Sequence, residues 1–105
     1  MLYSELQCSD AIHKAVERMG FAEMTEIQEK TIPVMLAGQD VIAKAPTGTG
    51  KTCAFGIPVA EHIDPEKKYP QAVIMAPTRE LAQQIAEEIT QLTSFMPQVQ
   101  VACVY

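Results

Sequence analysis

From Asp40 the chain runs through the largely apolar Val41-Ile42-Ala43-Lys44 into Ala45-Pro46-Thr47-Gly48-Thr49-Gly50-Lys51-Thr52, and then into Cys53-Ala54-Phe55. The first stretch is short and apolar, as a buried strand would be, and the last begins a run with helical character. A strand therefore feeds a glycine-rich turn that opens a helix. Gly48 and Gly50 permit backbone conformations closed to other residues, so that successive N–H groups can converge on phosphate oxygens at the helix N-terminus. Lys51 adds a full positive charge, and the Thr52 hydroxyl suits a magnesium ion bridging terminal phosphates. These parts, in this order, imply a nucleoside triphosphate site. The strictest form of the pattern has glycine where this chain has Ala45. The plain alternative is a surface loop with a solvated lysine, and the flanking strand and helix speak against it.

The remaining segments extend the alternation. Ser9 can cap a helix in which Ile12, Ala15, Val16 and Met19 share one face before Gly20 stops it. Thr25-Glu26-Ile27-Gln28 fits a capping box opening a second helix that ends near Gly38, with Pro33 expected to kink it or shift its start. The helix from Lys51 meets Pro58, expected to bend or interrupt it, and residues 64–70 form a loop by composition. Residues 72–76 read as a second buried strand. Thr78 can then cap a helix with Leu81, Ile85, Ile89 and Leu92 on one face, and residues 99–105 look like a third strand. The order α-α-β-α-β-α-β predicts an α/β fold, a parallel sheet with flanking helices and ligand sites at the carboxyl ends of its strands.

With 105 residues the chain is one small domain at most. No apolar run approaches membrane-spanning length and the polar N-terminus lacks a signal-peptide core, so a soluble, cytoplasmic protein without membrane contact is expected. Cys8, Cys53 and Cys103 are widely spaced, with no paired motif, and read as free thiols in a reducing compartment. A net charge of −5 argues against gripping nucleic acid by bulk electrostatics, so any such contact must be local.

Three separated segments say more together: residues 20–28 (Gly-Phe-Ala-Glu-Met-Thr-Glu-Ile-Gln), residues 45–52, and residues 77–82 (Pro-Thr-Arg-Glu-Leu-Ala). In that order and spacing they resemble the Q motif, motif I and motif Ia of the DEAD-box RNA helicases. Tyr3 stands where that family usually places an isolated upstream aromatic, most often phenylalanine. The resemblance covers essentially all of residues 1–105 and implies the N-terminal portion of the first RecA-like P-loop domain, cut short of its remaining strands.

It also implies ligands and roles. ATP, with Mg2+ on Thr52, would be held by Phe21, Thr25, Gln28, Ala45, Pro46, Thr47, Gly48, Thr49, Gly50, Lys51 and Thr52. The Gln28 amide can donate and accept, and so can pair with adenine's amine and ring nitrogen, while Phe21 offers a flat face for stacking. Both residues have plainer readings, as capping-box partner and as hydrophobic staple. Pro77, Thr78, Arg79 and Glu80 would contact the RNA backbone, since a helix N-terminus and an arginine fork both bind phosphate. An exposed Arg79–Glu80 ion pair is the ordinary alternative.

Hydrolysis needs a carboxylate on the magnesium shell and a group that positions water. This sequence holds neither an Asp-Glu-Ala-Asp segment nor a Ser-Ala-Thr motif, so no residue is assigned a catalytic role. The expectation is a piece of an ATP-dependent RNA helicase that binds nucleotide weakly without turnover and self-associates through exposed strand edges. The alternatives are a related-branch DNA helicase and a non-catalytic nucleotide-binding or interaction fragment.

Overall fold

The computed structural model describes residues 2–43, 51–64 and 66–104. Among the described residues four helices carry the architecture: α1 (Asp10–Arg18), α2 (Glu26–Leu36), α3 (Lys51–His62) and α4 (Arg79–Leu92), preceded by a 3-10 turn at Tyr3–Glu5.

Local chemistry sets the helix ends. Ser9 is the N-cap of α1 by position, yet its side chain makes no capping bond; its N–H instead donates to Glu61 Oε2 at 2.9 Å, tying α1 to α3. Gly20 and Gly38 follow α1 and α2 with φ of +84°, a left-handed conformation that side-chain-bearing residues rarely adopt. The box predicted at Thr25 is present in both directions. Pro33 and Pro58 lie inside α2 and α3, and both helices run continuously through them.

The apolar faces of these helices make one core. Ile12, Val16, Ile32, Cys53, Ile57, Ala60, Ile89 and Leu92 are buried together, with Tyr3, Leu6 and Met24 from the N-terminal segments. At Gly56 an added Cβ would stand 2.8 Å from Ile89 Cδ1 and 2.9 Å from Leu92 Cδ1, so the missing side chain sets how closely α3 and α4 approach. The face predicted for α4 is buried only in its later turns: Ile89 and Leu92 are in the core, whereas Leu81 is exposed.

The parallel sheet is the part of the expected fold that is not seen among the described residues. Residues 41–43, 72–76 and 99–104 carry no regular secondary structure, and no strand forms among the described residues. Their only β pairing is an antiparallel bridge between Leu2 and Glu23. The reason is physical: a parallel strand is held by neighbours on its edges and covered on both faces. No backbone hydrogen bond joins these three segments among the described residues. Ile42, Val73, Met75 and Val104 are accordingly 101, 83, 89 and 87% exposed.

Candidate functional site

The best-defined part of the site is built where the N-terminal segment meets the start of α2. The Leu2–Glu23 bridge and the Tyr3 N–H, which donates to the Ala22 carbonyl at 3.0 Å, lay residues 2 and 3 beside residues 22 and 23. This seats the Tyr3 ring against Phe21, with centroids 6.1 Å apart and planes inclined by 23°. Tyr3 is 4% exposed, whereas Phe21 is 42% exposed and so offers ring surface to solvent.

Gln28 lies beneath this pair, 3% exposed. Its main-chain N–H donates to Thr25 Oγ1 at 3.4 Å, while its Oε1 accepts from the Thr25 N–H at 3.0 Å. The same Oε1 accepts from the Tyr3 hydroxyl. A backbone N–H can only donate, so the side-chain atom facing Thr25 N must be the oxygen, and the orientation of the carboxamide follows. Burial, and secondarily the neighbouring Cys53, pushes the Tyr3 phenol well above its ordinary pKa, so it keeps its proton and remains a donor.

The residues predicted for the nucleotide therefore sort into three groups. Phe21, Thr25 and Gln28 are brought together, with Thr25 acting as helix cap. Lys51 and Thr52 are the first two residues of α3, Lys51 exposed and Thr52 half-buried. Ala45, Pro46, Thr47, Gly48, Thr49 and Gly50 lie outside the described residues. A cleft of about 270 Å³ runs along α2 past Ile27, Thr31 and Met35 to Lys51 and Phe55 at the start of α3. A second, of about 280 Å³, lies at the far ends of α2 and α3 around Gly38 and His62, away from the lysine. The first has the better claim to function because a cation stands at its edge.

Pro77, Thr78, Arg79 and Glu80 form an exposed N-terminus on α4, where Thr78 Oγ1 accepts from the Leu81 N–H at 3.2 Å. Thr78 thus caps the helix as predicted. Among the described residues, no group of three or more histidine, cysteine or acidic side chains could hold a metal ion. No described helix is long and apolar enough to cross a membrane.

The link that sequence reasoning missed is the Tyr3–Gln28 hydrogen bond. It joins residues 25 positions apart, and no periodicity connects them. The polar tip of an otherwise apolar, upstream aromatic was the available signal.

Comparison with known proteins gives this arrangement a family. An ATP-dependent RNA helicase CshA of Limosilactobacillus reuteri is 54% identical over 92 residues, covering 88% of this chain and 18% of its own length. The protein of that name from Listeria monocytogenes is 52% identical over 103 residues, covering 98% of this chain and 20% of the relative. The chain thus spans about a fifth of the length of the curated relatives it matches. Among solved structures, a DEAD box protein from Methanococcus jannaschii superposes with a TM-score of 0.82 at 43% identity, over 88% of this chain and 25% of that one. Dbp5 of S. cerevisiae, bound to RNA and ADP BeF3, superposes at 0.86 with 34% identity, over 90% of this chain and 25% of that one. The DEAD/DEAH box helicase model matches residues 25–105, which is most of the sequence, and the chain belongs to that family.

Proposed function

We propose that this chain is the nucleotide-reading, N-terminal portion of the first RecA-like domain of an ATP-dependent RNA helicase. The observation that carries the reading is the seat of Gln28, a buried carboxamide fixed by the Thr25 capping box beside an aromatic pair, one helix ahead of a helix that opens Lys51-Thr52. A carboxamide can pair with adenine's amine and ring nitrogen, and the exposed face of Phe21 can stack on the base. Lys51 and Thr52 fit the phosphate end: an ammonium for the terminal phosphates, a hydroxyl for Mg2+, and the N–H groups of the first turn of α3. When bound, ATP and Mg2+ supply the free energy and the charge neutralisation of phosphoryl transfer.

Pro77, Thr78, Arg79 and Glu80 would meet the sugar-phosphate backbone of RNA, a contact that positions the strand without reading its bases. The RNA helicase activity for which the relatives are named and the RNA in the Dbp5 complex support that assignment. Residues 41–43, 72–76 and 99–104 act as strands of a parallel sheet once neighbours are supplied. In this chain alone their exposed apolar side chains drive self-association. The setting is the cytoplasm.

Isothermal titration tests the core of the proposal. The 105-residue chain should bind ATP weakly and release no phosphate. Lys51→Ala should abolish binding, and Gln28→Ala should weaken ATP more than GTP. Equal losses for the two nucleotides in the second variant would contradict the adenine role.

A further inference from the structure

Gln28 reads a base, on the proposal above, through a carboxamide whose oxygen is already engaged. An sp² amide oxygen has two lone-pair directions. In this structure the Thr25 N–H takes one at 3.0 Å and the Tyr3 hydroxyl takes the other. An exocyclic amine approaching Oε1 must therefore displace one of the two donors.

The two are not equally replaceable. The Thr25 N–H is main chain at the N-cap of α2, and moving it would undo the capping box that positions Gln28 itself. Tyr3 reaches the oxygen with the tip of a side chain. Rotation of that side chain alone would free the oxygen, because the Tyr3 main chain is held separately by its N–H on the Ala22 carbonyl. We infer that the Tyr3 hydroxyl competes with the adenine amine for Gln28 Oε1, so that Tyr3 is a residue setting how strictly this site prefers adenine. This rests on the reading of Gln28 as the adenine contact and adds to it a built-in rival.

Competition has a direction. With Tyr3 on Oε1, the oxygen does not face a base, and adenine and guanine lose their clearest point of difference, an amine on one ring where the other has a carbonyl. When the hydroxyl withdraws, the oxygen accepts from adenine's amine and opposes guanine's carbonyl.

The test is a set of titrations of ATP, GTP and inorganic tripolyphosphate against the chain and its Tyr3→Phe and Gln28→Ala variants. Phenylalanine keeps the ring against Phe21 and removes only the rival donor. One intramolecular hydrogen bond corresponds to a change of roughly two- to tenfold in a binding constant. Tyr3→Phe should tighten ATP by that factor, leave tripolyphosphate unchanged and raise the preference for ATP over GTP, whereas Gln28→Ala should erase the preference. If Gln28→Ala erases the preference while Tyr3→Phe leaves it unchanged or lowers it, the competition is refuted and the adenine contact stands. If Gln28→Ala leaves the preference intact, the adenine contact fails and the competition falls with it. A second measurement needs no variant: in the proton NMR spectrum of the chain, the buried Tyr3 hydroxyl should lose its protection from exchange on adding ATP. Retained protection at saturating ATP would overturn the inference.

Discussion

The four helices and the three apolar segments between and after them are made of the same kinds of residue and end in opposite states. Ile57 and Leu92 are fully buried, whereas Ile42, Val73 and Met75 stand largely in water. The difference lies in where each element finds its hydrogen bonds. A helix closes its own, N–H to carbonyl four residues back, and needs a neighbour only to cover one face. A parallel strand closes none of its own and must be given an edge on each side before its side chains can be covered. Hydrophobicity is therefore enough to place α1, α3 and α4 in a core and not enough to place residues 72–76 in a sheet.

The largest expected contrast between the two regions is in thiol chemistry. Burial, with Glu88 nearby, pushes the Cys53 thiol from the usual 9.0 up to about 12. Burial together with Glu61 and Asp10 pushes Cys8 up to about 11. At pH 8 the reactive thiolate of Cys53 is then scarcer by about a thousandfold, and that of Cys8 by about a hundredfold, than for an ordinary thiol. Alkylation followed by mass spectrometry should modify exposed Cys103 first, Cys8 next and Cys53 last. Comparable rates at Cys53 and Cys103 would mean that the helical core opens freely. The same shifts carry a pH dependence. The folded chain keeps these thiols protonated above the pH at which the unfolded chain loses its protons, so stability is complete below about 9 and falls as the pH rises toward 12.

Next in size is the core itself. Leu92→Ala should lower unfolding free energy by about 2–5 kcal/mol in urea titrations, the range for truncating a fully buried leucine. A loss below about 1 kcal/mol would show that α4 is not anchored against Gly56 on α3. Thr25→Ala should cost about 1 kcal/mol as a lost N-cap, and more than Thr78→Ala, because the Thr25 box encloses a buried glutamine whereas Thr78 caps an exposed helix start. The reverse order would place the better-supported cap at α4.

Legibility in the sequence follows the same division. The bounds of α1, the capping box at Thr25, the glycine stop at Gly38 and the cap at Thr78 were readable because each is decided within about four residues. The sheet was not, because alternation of apolar runs with helices states a preference that only partners elsewhere can satisfy. The prolines interrupt neither helix: Pro33 and Pro58 stay inside α2 and α3, each of which tolerates one missing helical bond. Of the residues proposed for the site, Gln28 was legible as a capping-box partner from its spacing to Thr25, and the place of Lys51 and Thr52 at the start of α3 from the glycines before them. The Tyr3 hydroxyl on Gln28 was not, because it depends on an antiparallel bridge between Leu2 and Glu23 that no pattern announces.

The smallest expected effect is also the sharpest test of the comparison. Val73 is 83% exposed, so Val73→Asp removes almost no buried apolar area and introduces no buried charge. Its effect on unfolding free energy should stay within about 0.5 kcal/mol, as for surface substitutions generally. If residues 72–76 pair between copies through their open edges, the same aspartate adds a charge to a flat apolar strand, a known way of blunting an edge. Light scattering behind size-exclusion chromatography should then show self-association of the unaltered chain and a shift toward monomer in the variant, with helical content unchanged by circular dichroism. A monomeric unaltered chain would refute association through this segment. A variant that loses as much stability as Leu92→Ala would instead show that Val73 is covered in solution, and the contrast between helices that close their own bonds and apolar segments that have no edge partner would no longer hold for this chain.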